Sequence, residues 1–313
     1  MLTLALILTT ACTDKDTTAG TDSSLLDLDP ATVPLGGACP LDTDYGGFYA
    51  LLDDDSSAVE GNVADGVVPQ TVLEQLNASG DCFVLRRNNP FCDPACEAGQ
   101  TCDFEGDCLP YPVKQDLGTV TVAGLVQPVS MEPVFPGNTY YDTTLPTPPF
   151  EPGKLIALDM PGGAYGPLTL YGVGVEPLVS LDAEWSVEAG VALEVAWEPP
   201  TAGVVRSEVG LSINVDQHGT SPGAVYCVFE DDGAGTVPVA LIDGLIEAGV
   251  TGFPSGALER RTLDQGPAGT GCMDFKVAAP VGVEVDVVGF TPCVDTSDCP
   301  DDLECNLALQ VCE

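Results

Sequence analysis

The run Val191-Ala192-Leu193-Glu194-Val195-Ala196-Trp197-Glu198 alternates strictly: Val191, Leu193, Val195 and Trp197 face one way, and Ala192, Glu194, Ala196 and Glu198 the other. After Pro199-Pro200 the pattern returns. Val209, Leu211, Ile213 and Val215 lie on one face, with Glu208, Ser212, Asn214 and Asp216 opposite, followed by Val225, Cys227 and Phe229. Successive side chains of a strand point to opposite faces, so period-two runs broken by Pro and Gly mark half-buried antiparallel strands. Residues 187–229 therefore set the fold class as all-β, an antiparallel Ig-like β-sandwich. They carry no reaction chemistry.

Working outward, Val281, Val283, Val285 and Val287 form a last alternating strand, and Val120 and Val122 a first one. Residues 155–158 and 168–175 read as further strands. Residues 238–248 read as one short helix, with Leu241, Leu245 and Ala248 on a face and Gly249 as its stop. The proline-rich stretch 128–153 reads as a long covering loop. Upstream, residues 47–51, 59–63 and 82–85 suit strands, and Pro69 opens a candidate helix reaching Leu76. Tyr111-Pro112 looks like a boundary. The expected layout is a small disulfide-stapled domain (34–112), the sandwich (113–290) and a Cys-rich C-terminal module (291–313).

The 313 residues carry 9 Lys and Arg against 48 Asp and Glu, a net charge of −39. Such a surface repels nucleic acid and anionic lipid headgroups, which need clustered basic residues. The acids are spread along the chain and read as a solvated surface.

Residues 1–11 are apolar, too short to span a bilayer, and read as a signal-peptide core. Leu8-Thr9-Thr10-Ala11-Cys12 resembles the lipobox of bacterial lipoproteins, with Thr9 where that pattern usually has Leu. The resemblance implies that Cys12 is lipidated and becomes the mature N-terminus, attaching the protein to a membrane. Thr13, in place of Asp, implies the outer membrane or surface of a Gram-negative cell. No Lys or Arg precedes the apolar run, which leaves room for a start upstream of Met1. Residues 12–33, rich in Asp, Thr and Ser, read as a disordered tether.

The thirteen cysteines, less Cys12, leave an even dozen: Cys39, Cys82, Cys92, Cys96, Cys102, Cys108, Cys227, Cys272, Cys293, Cys299, Cys305 and Cys312. Pairing into disulfides is what an exported chain does with an even set. Neither four-cysteine cluster has the C-x2-C knuckles of a zinc site, so disulfides are expected in both. The segments 92–102 and 293–300 resemble short Cys-rich modules of secreted and surface proteins. Of three possible pairings per cluster, first-to-third and second-to-fourth is expected, as in small interleaved modules. Cys39–Cys82 and Cys227–Cys272 are the expected remaining bonds.

His218 is the only histidine, in Asp216-Gln217-His218-Gly219-Thr220-Ser221. It could act as a base for Ser221, but the segment also reads as a strand-end turn. The acid-rich turns Asp53-Asp54-Asp55 and Glu230-Asp231-Asp232-Gly233 could offer oxygen ligands to calcium. Tyr140, Tyr141 and Phe150 could stack on sugars or pack over the sandwich edge. These features point to a non-enzymatic surface protein with a structural role, or one binding a protein or glycan. An extracellular polymer hydrolase or a calcium-dependent adhesin is the alternative.

Overall fold

The computed structural model describes residues 23–53, 56–87, 90–201, 206–215, 223–300 and 302–313. The strands of the first half are β1 (Asp44–Leu52), β2 (Ser57–Val63), β3 (Leu73–Ser79), β4 (Cys82–Arg87), β5 (Gln100–Cys102), β6 (Cys108–Pro110), β7 (Val120–Ala123), β8 (Val129–Met131), β9 (Tyr140–Asp142) and β10 (Leu155–Met160). Then come β11 (Leu168–Val173), β12 (Glu184–Val187), β13 (Leu193–Ala196), β14 (Glu208–Asn214), β15 (Gly223–Glu230), β16 (Ala234–Val237), helix α1 (Val239–Ala248), β17 (Ser255–Ala268), β18 (Gly271–Val287), β19 (Cys305–Asn306) and β20 (Val311–Cys312).

One ten-stranded sheet runs in the order β3-β4-β15-β14-β17-β18-β1-β2-β9, with β12 also alongside β18. Its spine is the hairpin β17–β18, of 14 and 17 residues. The hairpin turns through Gly269-Thr270, where Gly269 takes φ +63°, the left-handed conformation that primed turns use and glycine adopts without a Cβ clash. The expected pairing was antiparallel throughout. The observed sheet is mixed, because β1 and β12 both lie parallel to β18. Two strands far from β18 in sequence can join it in either direction, since no tight turn dictates their sense.

One face of this sheet is apolar, and two separate layers cover it. Over β1, β2 and the first half of β18 lies a four-stranded sheet, β11-β10-β7-β8. Phe48, Val59, Val122, Ile156, Leu158, Phe275 and Val277 are buried between them. The two sheets come so close that a Cβ on Gly172 would sit 2.4 Å from Val277 Cγ2. Over β4, β15, β14 and the far end of β18 lie α1 and the pair β13–β16. Trp185, Trp197, Val209, Leu211, Ile213, Val225, Leu241 and Leu245 fill that second core. Each such side chain contributes roughly 1.5–3 kcal/mol by leaving water.

Several expectations need correcting. The segment 34–112 is no separate β-domain: β1 to β4 belong to the large sheet, and Tyr111-Pro112 divides no sheet. The helix expected from Pro69 is a single 3-10 turn, Pro69–Thr71, followed by edge strand β3. A helix that short is marginal, and pairing with β4 outweighs it. The loop expected at 128–153 contains β8 and β9. The tether expected to reach residue 33 is structured at its end: Ser23–Leu26 is a 3-10 turn and Val33 packs against Leu155 and Val173. Val191 is exposed, while Leu193, Val195 and Trp197 are buried as their alternation requires.

All twelve expected cysteines are paired. Both clusters join first to third and second to fourth: Cys92–Cys102, Cys96–Cys108, Cys293–Cys305 and Cys299–Cys312. The other four exchange the expected partners, giving Cys39–Cys272 and Cys82–Cys227. Sheet order is the reason. Cys82 and Cys227 face each other directly across β4 and β15. Cys272 opens β18 beside Asp44, which brings Cys39 alongside. The C-terminal module docks on the body through Gly252 N donating to Leu309 O.

Candidate functional site

Strand β17 turns Leu258, Arg260, Thr262 and Asp264 to the same face, and the last three are buried polar residues at the seam between the two cores. Arg260 donates from Nε to Asp231 Oδ2 (2.6 Å) and from Nη2 to Asp231 Oδ1 (3.0 Å). It also reaches Pro177 O (2.9 Å) and Glu198 O (2.6 Å). Asp231 accepts further from Trp197 Nε1 (2.9 Å) and Ser207 Oγ (2.5 Å). Thr262 Oγ1 exchanges hydrogen bonds with the backbone of Val173, and Asp264 accepts from Tyr171 N and Gly36 N. A sheet edge left bare inside the molecule would strand its backbone donors, so these side chains stitch edge strand β11 and the N-terminal segment to β17.

This network is a fastening. Every Asp231 oxygen is already occupied, so the turn expected to offer calcium ligands at residues 230–233 has lost its central carboxylate to Arg260. In the other candidate turn only Asp53 is described; Asp54 and Asp55 lie outside the described residues.

The opposite face of the sheet is charged. Arg261 pairs with Glu208 (3.0 Å) and Glu259 (3.3 Å), and Lys276 with Glu259 (2.7 Å), while the Lys276 ammonium stands 5.2 Å from the Tyr49 ring centroid. Burial, then the carboxylates of Asp44, Asp274, Glu259 and Glu60, push the Tyr49 hydroxyl up to about 12. Asp274 is pushed up to about 6, chiefly by burial and secondarily by Asp44, against the lowering effects of the Cys39 N–H and of Lys276 and Arg261. Its Oδ1 accepts from Cys39 N at 2.8 Å. Cys39, Cys272 and Asp274 lie within reach of one ion. Both sulfurs are disulfide-bonded, however, and only a thiolate ligates. The same holds for the two cysteine clusters.

A cleft of about 250 Å³ opens where β17 stops at Ser255 and β18 runs on to Val287. Val250, Pro254, Val285 and Phe290 are among its lining residues, together with Val311 of the C-terminal module. Glu184, Glu284 and Asp286 line it as well. Glu184 and Glu284 are direct partners in the parallel β12–β18 pair, and Asp286 follows two positions along the same face. No ion pair among the described residues involves the three. Sequence reasoning missed this cleft because its walls come from separate segments. The one visible signal was the polar side of 281–287, where Glu284 and Asp286 alternate with valines.

Other expected site residues are placed as follows. Cys12, His218 and Ser221 lie outside the described residues. Tyr140 is buried, its hydroxyl accepting from Leu117 N at 2.8 Å, and Phe150 is fully buried. Both are core, so of the three aromatics only Tyr141 faces solvent. Six disulfides, with no described cysteine left free, mark a protein of an oxidising, extracytoplasmic compartment.

No protein-family model matches the chain, and no curated protein matches it. Among solved structures, it is similar to a tri-modular GH5 (subfamily 4) endo-beta-1,4-glucanase from Bacillus licheniformis complexed with cellotetraose, at 12% identity over 56% of this chain and 34% of that one, TM-score 0.21. The FN1–FN3 domains of chicken CNTN1 match at 6% identity over 68% of this chain and 66% of that one, TM-score 0.19. A 1.5-MDa bacterial ice-binding adhesin matches at 11% identity over 81% and 69%, TM-score 0.19. This chain thus spans about a third of the glucanase chain. At TM-scores of 0.19–0.21 none of these likenesses transfers topology or function. The residues themselves establish a disulfide-rich, mostly β protein built for export.

Proposed function

We propose that the protein is a non-enzymatic binding module of the bacterial cell surface, carried on a lipid at Cys12 and engaging a protein or glycan through the cleft beside the C-terminal module. One observation carries the binding reading: the cleft is concave and lies where the C-terminal Cys-rich module meets the body, a kind of junction where ligand sites commonly form. The anchor rests on the lipobox-like Ala11-Cys12 and on the odd cysteine count.

The anchor is tested by labelling cells with a fatty-acid analogue. Wild-type protein should take up label and Cys12→Ser should not; equal labelling of the two refutes lipidation. The binding reading is tested with the mature protein on glycan and extracellular-protein arrays. Ligands should be lost on substituting Phe290→Ala. Absence of ligands on both arrays, or ligands indifferent to that change, counts against the cleft.

A further inference from the structure

Resting on the lipid anchor proposed above, we propose that a separate groove, at the root of the N-terminal segment, takes the acyl chain carried on Cys12. This groove has a volume of about 420 Å³ and is lined by Leu26, Leu28 and Pro30, by Val126 of the β7–β8 turn, and by Leu155 at the start of β10. Leu26, Leu28 and Val126 keep 36%, 44% and 55% of their surface in water. Single exposed apolar side chains are ordinary, but three large ones lining one concavity make a patch of the kind that marks a binding surface. Both walls are fixed by the chain itself. Val126 N donates to Pro149 O (2.8 Å), and Gly124 packs so closely that a Cβ there would meet Leu155 O at 2.1 Å. On the other wall Asp29 accepts from Ala31 N and Val33 N, and Val33 is buried against Leu155 and Val173.

The occupant follows from where the segment that leads to Cys12 joins the described fold. Ser23 opens the 3-10 turn that ends at Leu26, so that segment starts at the groove. Cys12 lies eleven residues before Ser23, a reach of at most about 37 Å. A group tethered by a short linker meets its site at an effective concentration on the order of millimolar, so a modest affinity is enough to seat it. An acyl chain matches the lining because it is slim, unbranched and apolar, and gains by leaving water. Other occupants fit less well. A second copy of the chain, at a net charge of −39, is repelled. A sugar needs several polar partners, and Glu151 and Lys154 are the only polar side chains among the described lining residues. A flat bilayer surface does not enter a concavity. The groove covers part of one chain whereas a bilayer buries all of it, so contact with a membrane draws the chain out. The groove thus serves the protein while it is off the membrane.

The test uses the disulfide-intact mature chain as Cys12→Ser. The probe is the tripeptide Cys-Thr-Asp, the sequence of residues 12–14, carrying a palmitoyl chain and kept below its micelle-forming concentration; the acetylated tripeptide is its control. Binding is measured by calorimetry and located by backbone amide shifts. The palmitoyl probe should bind and shift residues 26–30, 124–126 and 151–155, and the acetyl probe should not. Adding L28N/V126N should weaken binding about tenfold. Adding V288N/L307N, which changes two exposed apolar side chains elsewhere, should leave it unchanged. Lipidated wild-type protein free of detergent should show the same shifts without probe and lose them when phosphatidylcholine vesicles are added. No binding, shifts confined to residues 250–254 and 284–290, equal loss in both variants, or lipidated protein whose groove signals match Cys12→Ser overturns the proposal while leaving the anchor intact. Equal fatty-acid labelling of wild type and Cys12→Ser instead overturns the anchor, and with it this occupant.

Discussion

Replacing Arg260 by leucine should be among the most damaging single changes outside the apolar cores. The Arg260 side chain is 2% exposed and that of Asp231 4%, so neither charge has recourse to water. The substitution leaves the Asp231 carboxylate buried with only Trp197 Nε1 and Ser207 Oγ as donors, and it strips the Pro177 and Glu198 carbonyls of theirs. Removing one member of a buried pair costs about 3–5 kcal/mol, because the survivor keeps its desolvation penalty. At about 2.1 cal/mol/K per residue, a chain of roughly 300 residues has a melting entropy near 0.6 kcal/mol/K, so Tm should fall by about 5–8 °C. The double change R260L/D231L should melt above R260L alone, since it removes the stranded charge. Arg261 is the control: its side chain is 19% exposed and its partner Glu208 38%. Pairs that wet are worth under about 1 kcal/mol, so R261Q should cost less than about 2 °C. Calorimetry with disulfides intact measures all three. A Tm for R260L within about 2 °C of wild type, or a double variant melting below R260L, would refute the seam as the reason Arg260 is buried.

Asp274 makes a prediction about pH. Its folded pKa of about 6 lies above the unfolded value, so the folded state binds the extra proton between about pH 4 and 6 and stability falls as pH rises through that window. Asp274→Asn keeps an acceptor for the Cys39 N–H and should melt higher than wild type at pH 7.5, with the gap closing at pH 4.5; a gap independent of pH contradicts this. Gly172→Ala should cost about 1–3 kcal/mol, because the new methyl overlaps Val277. The double change with Val277→Ala should cost less than the sum of the singles, and strict additivity would show that the sheets are not in contact there.

The sequence revealed the fold where its inward faces are apolar. Val209, Leu211, Ile213 and Val215 alternate without interruption and are all buried, and α1 lies within one residue of its expected start. It concealed β17 because that strand turns Arg260, Thr262 and Asp264 inward, reversing the polarity that pattern reading depends on. Those three residues are inside because of edge strand β11 and the Asp231 turn, which no local window contains. The disulfide exchange has a similar origin. Cys82 looks closest to Cys39 along the chain, yet sheet order sets it against Cys227. The cleft was invisible for the same reason: Glu184 and Glu284 are a hundred residues apart and meet only through a parallel pairing.

The bond between Cys39 and Cys272 spans 233 residues of sequence. Tension applied along the chain, from the residues before Cys39 to those after Cys272, crosses that bond without passing through anything between. Pulled straight at about 3.4 Å per residue, the enclosed span would yield roughly 800 Å of slack. With the bond closed it yields none. Strands β1 to β17 all lie inside this ring, and Cys82–Cys227 closes a second ring of 145 residues within it. A protein hung by its N-terminal side and tugged at its C-terminal module would therefore load β18 and the residues beyond it, while everything between Cys39 and Cys272 stays out of the line of force; reduction of that bond would lengthen the loaded path, with Cys82–Cys227 still shielding its own span.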